Sequence, residues 1–226
     1  MSQATETTTA VQEQKKDAWF SPKNRKLITD PIGDNNPITI QILGLCSALA
    51  VTTQLKPAII MAIGVTIVTA FANLIISAMR NTIPNRIRMI VQLVVIAALV
   101  VIVDQLLRAF VYDVSKKLSV FIGLIITNCI VMGRLEAFAM ANKPWPSFLD
   151  GIGNGLGYGA ILVIIALLRE SLGSGTILGY QIIPQAFYTA GYVNNGLMVT
   201  PAASMFIIAI IIWIQRSRNP KLVDIS

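Results

Sequence analysis

Residues 57–79 read PAIIMAIGVTIVTAFANLIISAM, an apolar run of 23 residues without a single charged side chain. A helix of about 20 apolar residues spans the hydrocarbon core of a bilayer, so this stretch predicts a membrane-spanning helix. Residues 89–107 form a second run of this kind, in which the only charge is Asp104. The fold class predicted from these two runs is an all-α integral membrane protein.

The composition of the whole chain agrees with that class. Of the 226 residues, 54% are hydrophobic and 13% are charged, whereas about 25% of the residues in soluble domains are charged. The net charge of +7 is not clustered on a wettable face, which excludes nucleic-acid binding. Because the chain has no histidine, it cannot form His-ligated haem sites, His-containing zinc sites or a catalytic triad that needs imidazole.

Six apolar runs follow a polar N-terminal tail. They lie at residues 38–53, 57–79, 89–107, 118–132, 151–168 and 197–214. The first and fourth runs have 16 and 15 residues, which is short for a crossing helix. Proline and asparagine between the runs, at Pro84, Asn85, Pro144 and Pro146, predict loops.

The runs divide into two sets of three, and each set opens with its short run. Three crossings per set invert the second set relative to the first, and paired short segments in such repeats indicate a functional site near the membrane midplane. The expected divisions are a polar cytoplasmic tail (1–37), a first three-helix repeat (38–107), an inverted second repeat (118–214) and a cytoplasmic C-terminus (215–226). With six crossings, 13 of the 18 Lys and Arg residues share the side of both termini, which the positive-inside rule assigns to the cytoplasm.

The two cysteines of the chain, Cys46 and Cys129, lie one in each short run. At about 1.5 Å per helical residue, Cys46 is expected roughly 12 Å and Cys129 roughly 14 Å from the cytoplasmic side of a core about 30 Å thick. Packing as small hydrophobic side chains is one interpretation of the pair, and a disulfide is another. Thr127 and Asn128 beside Cys129 favour a functional site, because polar groups at this depth are costly unless they serve buried or broken backbone.

Three segments carry a resemblance to a known family: LGLCSALAVTT (43–53), SVFIGLIITNCIVMGR (119–134) and DGIGNGLGYG (150–159). The chain resembles the family that contains the D subunits of sodium-translocating NADH:quinone oxidoreductases and the E subunits of Rnf electron-transport complexes. The resemblance runs from about residue 34 to the sixth apolar run and does not cover the tail, 1–33.

The resemblance implies a six-helix subunit with inverted symmetry, paired with a homologous sister subunit of opposite orientation. It implies a [2Fe-2S] cluster that the two subunits share inside the membrane, with Cys46 and Cys129 supplying two of the four thiolate ligands of its iron atoms. Such a subunit relays electrons across the bacterial inner membrane as part of a redox-driven sodium pump, an NADH:ubiquinone oxidoreductase. The expected partners are the sister subunit, the other subunits and the lipid bilayer. This chain is expected to hold no complete active site, no catalytic residue, no flavin and no NADH.

Two alternatives to this function stay open. One is an Rnf-type complex, although residues 46–53 favour the quinone reductase. The other is a small secondary transporter with inverted repeats, whose broken helices hold a substrate and whose cysteines are incidental. Iron that depends on the two cysteines indicates the relay, whereas a defect in uptake alone indicates the transporter.

The glycine-rich segment 151–159 does not fit a dinucleotide fingerprint, because Leu156 stands where the third glycine is needed and no strand precedes it. Gly151, Gly155 and Gly159 instead form a small-residue face that predicts close helix packing. We expect the short helices to be the elements that this face contacts.

Four further features have simpler interpretations. Asp104 and Arg108 predict an ion pair four residues apart, with a sodium ligand at Asp104 as the alternative. Arg169 and Glu170 predict charges at a membrane interface. Residues 174–176 are a poor match to the threonine motif that carries covalent flavin. The last loop, 177–195, is expected to form an amphipathic cap, with a docking surface as the alternative.

Overall fold

A computed structural model of the chain describes residues 27–31, 33, 35–84, 86–110, 123–177, 180–181 and 196–218. The main helices, numbered in chain order, are α1 (Leu45–Val51), α2 (Leu55–Met79), α3 (Arg88–Phe110), α4 (Cys129–Arg134), α5 (Pro144–Gly173) and α6 (Pro201–Arg218). A single π-helical turn, Leu135–Ala139, continues α4, and a short 3-10 helix, Gly196–Val199, precedes α6. Within the described residues the only strands are β1 (Thr176–Ile177) and β2 (Tyr180–Gln181), a two-residue antiparallel hairpin. The predicted helical class is confirmed.

Three helices in the described part of the chain are long and apolar enough to cross a bilayer. They are Leu55–Met79, Arg88–Leu106 and Pro144–Gly173. The second and third apolar runs, 57–79 and 89–107, are therefore confirmed as helices. α6 covers most of the sixth run but begins at Pro201 and extends to Arg218.

The sequence prediction was wrong about Pro144 and Pro146, which form part of the first turn of α5 and not a loop. Proline is tolerated in a first turn because the N–H group that it lacks has no intrahelical partner at that position. α5 is consequently 30 residues long, which corresponds to about 45 Å at 1.5 Å per residue.

The core of the molecule is the contact between α2 and α5. A Cβ atom on Gly151 would lie 2.7 Å from the Cα of Ala70, and one on Gly155 would lie 2.6 Å from the Cα of Thr66. Only glycine allows the two backbones to approach this closely, so the predicted packing role of the glycine face is confirmed. The predicted contact element was wrong, because this face packs against α2 and not against the short helices.

Hydrogen bonds at both ends show that α2 and α5 run antiparallel. The backbone N–H of Leu55, at the start of α2, donates to Oε2 of Glu170 at 2.6 Å. Near the other end, Nδ2 of Asn73 donates to the carbonyl of Ser147 at 3.1 Å. The two helices therefore form a rigid pair against which the shorter elements pack.

A second face of α5 holds the segment that leads to α1. A Cβ on Gly157 would lie 2.4 Å from the carbonyl oxygen of Pro31. Nδ2 of Asn36 donates to the carbonyl of Gly157 at 3.0 Å. Because Gly157 lies about midway along α5, non-helical backbone around Asn36 reaches the middle of the helix, where it is covered by protein.

The helices α3 and α6 lie at the periphery of the described structure. Ile90 and Val94 of α3 and Phe206 and Trp213 of α6 are exposed on apolar faces. The predicted ion pair of α3 is confirmed, with Arg108 Nε 2.9 Å from Asp104 Oδ2. Of the aromatic residues in the last loop, Phe187, Tyr188 and Tyr192 lie outside the described residues.

Candidate functional site: two cysteine-bearing helix N-termini

Both cysteines lie in the first turn of a short helix. Cys46 is the second residue of α1, and Cys129 is the first residue of α4. The hydropathy pattern placed them in two short apolar runs, 38–53 and 118–132, and the estimate of their depth counted helical residues from residues 38 and 118. The first run is an α-helix only at Leu45–Val51, and the fourth run is interrupted at Thr127 and Asn128.

α1 begins through an unusual backbone conformation. Gly44, which precedes the helix, has φ of +80° and provides no side-chain cap. Its carbonyl accepts the first helical hydrogen bond, from the N–H of Ala48 at 3.2 Å. A left-handed residue at this point turns the chain sharply into the helix, and glycine adopts that conformation without steric cost.

α4 begins through a side-chain cap. Asn128 is extended, with φ of −68° and ψ of +119°, and its Oδ1 accepts a hydrogen bond from the N–H of Ile130 at 3.2 Å. This is the usual way in which asparagine satisfies one of the N–H groups that lack a partner at a helix N-terminus. The polar pair that interrupts the fourth apolar run therefore marks the beginning of a helix.

The N-termini of α1 and α4 meet at one hydroxyl group. Nδ2 of Asn128 donates to Oγ of Ser47 at 3.3 Å. The same oxygen lies 2.6 Å from the phenol oxygen of Tyr158 in α5. Ser47 follows Cys46 and Asn128 precedes Cys129, so these bonds bring the two cysteine-bearing turns together.

The meeting point lies deep in the apolar part of the molecule. Tyr158 is the fifteenth of the 30 residues of α5 and is completely buried. Half of a helix about 45 Å long therefore extends to either side of it. Both cysteines were expected at one depth near the midplane, and the turns that carry them meet beside the middle of α5.

The far end of α1 is held by a buried arginine. Arg169 is 1% exposed, and it donates to Oγ1 of Thr52 at 2.6 Å and to the carbonyl of Leu49 at 3.5 Å. Its other N–H groups bond the carbonyls of residues 198–200 at 3.1, 2.9 and 2.9 Å. Arg169, which was predicted to be a charge at the membrane interface, is enclosed by the hydroxyl of Thr52 and by backbone carbonyl groups of α1 and of the entry to α6.

The far end of α4 is held by an ion pair. Arg134, the last residue of α4, donates from Nε to Oδ2 of Asp150 at 3.0 Å and from Nη2 to Oδ1 of the same carboxylate. Asp150 also accepts a bond from Nδ2 of Asn154 at 3.0 Å. Bidentate pairing of this kind fixes orientation as well as distance, so α4 is anchored to the first part of α5.

The surroundings of the sulfur atoms bear on the two simpler interpretations of the cysteines. Both residues are free and exposed on the surface of the chain. They do not pack in the core, and they do not form a disulfide. Within the described residues no group of three or more His, Cys, Asp or Glu side chains could hold a metal ion.

Sequence reasoning missed three of the residues that shape the site. Tyr158 and Ser47 lie within apolar runs, and Asp150 lies beside the glycine-rich segment. The available signal was their polarity, since a hydroxyl or carboxylate in a membrane-spanning segment requires a partner. The sequence did not reveal which partner each of them has.

Comparison with known proteins identifies the family. The family model described as "Rnf-Nqr subunit, membrane protein" matches residues 24–212. This chain is 58% identical to the D subunit of the Na(+)-translocating NADH-quinone reductase of Aeromonas hydrophila. The match extends over 200 residues, which are 88% of this chain and 95% of the relative. The D subunit of the Haemophilus ducreyi enzyme is 59% identical over 88% of this chain and 97% of its own length. The D subunit of the Photobacterium profundum enzyme is 54% identical over 88% of this chain and 95% of its own length. These matches confirm the resemblance found in the sequence, and the chain belongs to the Rnf-Nqr family of membrane-protein subunits.

Proposed function

We propose that this chain acts as the corresponding membrane subunit of a sodium-translocating NADH:quinone oxidoreductase. In this role Cys46 and Cys129 supply two thiolate ligands to a [2Fe-2S] cluster, and a homologous sister subunit supplies the other two. The subunit relays electrons across the bacterial inner membrane. The names of its relatives, which describe a subunit of a redox enzyme that moves sodium ions, support the wider role.

The observation that carries the proposal is the exposure of both cysteines on two helix turns that meet. Free cysteine is among the most buried residue types in proteins, yet both cysteines here are exposed. They lie in the first turns of two helices that meet near the middle of α5. A pair of thiols on an apolar surface at this depth fits a shared ligand site better than it fits packing.

The number of ligands also points to a second chain. An iron–sulfur cluster of this type is held by four thiolates, and the chain contains two cysteines and no histidine. Their exposure leaves room for the other two thiolates to approach from a neighbouring subunit. The chain's residues therefore fit half of the cluster's coordination.

The local electrostatics favour thiolates at these positions. An isolated anion in an apolar medium is very unfavourable, so thiolates need compensating charge or dipoles. The first N–H groups of α1 and α4 have no helical acceptors, and the helix dipole is positive at that end. When bound, the cluster would accept and pass on one electron near the membrane midplane.

The proposal includes six membrane crossings in two inverted repeats, with both termini in the cytoplasm. The opposite directions of α1 and α4 support it. From their meeting point at Tyr158, α1 runs toward Arg169 near one end of α5, and α4 runs toward Asp150 near the other end. Two short helices that point away from each other along one long helix are expected for inverted repeats.

The test is the iron content and the EPR spectrum of the purified complex. We expect Cys46→Ser and Cys129→Ser each to remove about two iron atoms per complex together with their EPR signal. Thr127→Ser is the matched control, because it alters an exposed side chain two residues from Cys129 and leaves both sulfur atoms in place. Unchanged iron in both cysteine variants would refute the ligation. With a defect in uptake alone, that result would favour a secondary transporter.

A further inference from the structure

The serine hydroxyl at which the two cysteine-bearing turns meet, that of Ser47, also contacts a tyrosine of α5. Tyr158 is completely buried, and its phenol oxygen lies 2.6 Å from Oγ of Ser47. No histidine, aspartate or glutamate takes part in this contact. A buried phenol group at this depth needs a hydrogen-bond partner, and Tyr158 finds it on the residue next to Cys46.

The direction of each hydrogen bond follows from the number of protons available. Ser47 has one hydroxyl proton, which it donates to the carbonyl of Gly44 at 2.9 Å. The proton between Ser47 and Tyr158 must then come from Tyr158. Nδ2 of Asn128 donates to the same serine oxygen at 3.3 Å. Ser47 Oγ therefore accepts from α5 and from the cap of α4 at the same time, which uses both of its lone pairs.

Close packing around the phenol ring holds this arrangement in place. A Cβ on Gly44 would lie 3.1 Å from Cε2 of Tyr158 and 3.2 Å from Cδ1 of Ile130. The ring thus lies against the backbone that precedes α1, next to a side chain of α4. A side chain at residue 44 would meet both the ring and Ile130.

We infer that Tyr158 is a positioning residue for the proposed cluster: its hydroxyl, acting through Ser47 and Asn128, fixes the separation of Cys46 and Cys129. The inference rests on the proposed function, because only a bound cluster requires a fixed separation of the two cysteines. The hydrogen bonds at Ser47 do not depend on that function. Tyr158 does not ligate iron. It holds the two turns that carry the exposed cysteines in one arrangement.

The test uses Tyr158→Phe in the purified complex, because that change removes the hydroxyl and keeps the ring. We expect iron to remain while the EPR signal broadens, since the two thiolates then adopt a range of separations. Thr69→Val is the matched control. Thr69 is also completely buried, but its hydroxyl donates to Val65 within its own helix at 2.6 Å and joins no second element. An unchanged EPR line shape in Tyr158→Phe would overturn the inference.

A second measurement does not depend on the cluster. Hydrogen exchange in the complex should become about fivefold faster at residues 44–48 and at residues 128–132, the change that loss of one net hydrogen bond of about 1 kcal/mol gives. Ser47→Ala should have the same effect, and the double variant should exchange no faster than either single variant, because all act on one network. Faster exchange at only one of the two turns, or additive effects, would overturn the inference.

The two proposals can fail separately. If the cysteine variants keep their iron, the ligation fails, and hydrogen exchange still decides whether Tyr158 holds the two turns together. If the cysteine variants lose iron and Tyr158→Phe changes neither exchange nor the EPR signal, the ligation is supported and the positioning role is refuted.

Discussion

The helices α1 and α4 reach equivalent positions by different local means. α1 begins after a glycine in the left-handed conformation, without a side-chain cap, whereas α4 begins after Asn128, whose side chain caps the helix. Both helices begin in an apolar environment, where the N–H groups of the first turn have no helical partners. The difference shows that two short helices can begin beside the same residue of α5 without a shared local sequence.

The residues that hold the two short helices all come from one element, α5. Asp150, Tyr158 and Arg169 lie 8 and 11 residues apart on α5, which is about two and three helical turns, so they share one face. Asp150 holds the end of α4, Tyr158 the meeting point, and Arg169 the end of α1. The second predicted repeat therefore supplies the contacts that fix both short helices, and changes on this face of α5 should affect the first repeat as well.

The largest effect is expected for Arg169→Leu. The substitution leaves the carbonyls of Leu49, Met198 and Val199 without this donor in a partly buried environment, at a cost of about 1–3 kcal/mol for each group that stays unpaired. The carbonyl of Thr200 keeps its bond from the N–H of Ala203. We expect the complex to lose at least about 3 kcal/mol of stability or to fail to assemble. The measurement is the thermal midpoint of the purified complex. An Arg169→Leu complex that keeps its thermal midpoint but loses iron would contradict the prediction that Arg169 acts through stability.

Arg80→Leu provides the control for that variant. Arg80 has the same side chain but forms one long hydrogen bond, 3.4 Å, to the carbonyl of Ala141 at an exposed site. Its replacement should change the thermal midpoint little. Equal effects of the two substitutions would show that the enclosure of Arg169 does not determine the position of α1.

Much of the fold was predictable because membrane helices follow hydropathy. The runs 57–79 and 89–107 became α2 and α3 with ends shifted by a few residues, since long apolar segments have few alternatives in a bilayer. The glycine spacing at 151, 155 and 159 predicted close packing for the same physical reason, namely that small residues admit a second backbone. Which helix would approach could not be predicted, because α2 and the short helices are equally apolar.

The candidate site was predictable only in part. The chain's two cysteines were found because they are the only thiols, and Asn128 because it interrupts an apolar run. The polarity of Ser47 and Tyr158 does not identify their partners, since a hydroxyl in an apolar helix can also bond to its own backbone, as that of Thr69 does. Arg169 was assigned to an interface because charge normally avoids the membrane interior, and only the fold shows which carbonyl groups enclose it.

A smaller effect than that of Arg169 is expected for Gly44→Ala, which tests how α1 begins. An L-residue at a φ of +80° costs about 1–2 kcal/mol, and the added Cβ would lie 3.1 Å from the ring of Tyr158. We expect a lower thermal midpoint together with a broadened EPR signal, because the substitution disturbs the turn that carries Cys46. Gly133→Ala in α4 is the control, since its Cβ would meet only the end of the Leu43 side chain, at 3.1 Å. If both substitutions are tolerated equally, the left-handed turn is not required for α1.

The smallest effect is expected for Asn128→Ala, which tests how α4 begins. The substitution removes the cap on the N–H of Ile130, at a cost of about 1 kcal/mol, and the bond to Ser47. Asn128→Ser separates the two contributions, because serine caps helices well but is too short to replace the longer amide at Ser47. Asn128→Ser is expected to restore the thermal midpoint but not the EPR line shape. That result would show that the cap stabilises the helix, whereas the bond to Ser47 sets the separation of the cysteines. Recovery of both would mean that the cap alone positions Cys129, and the two short helices would then be set independently.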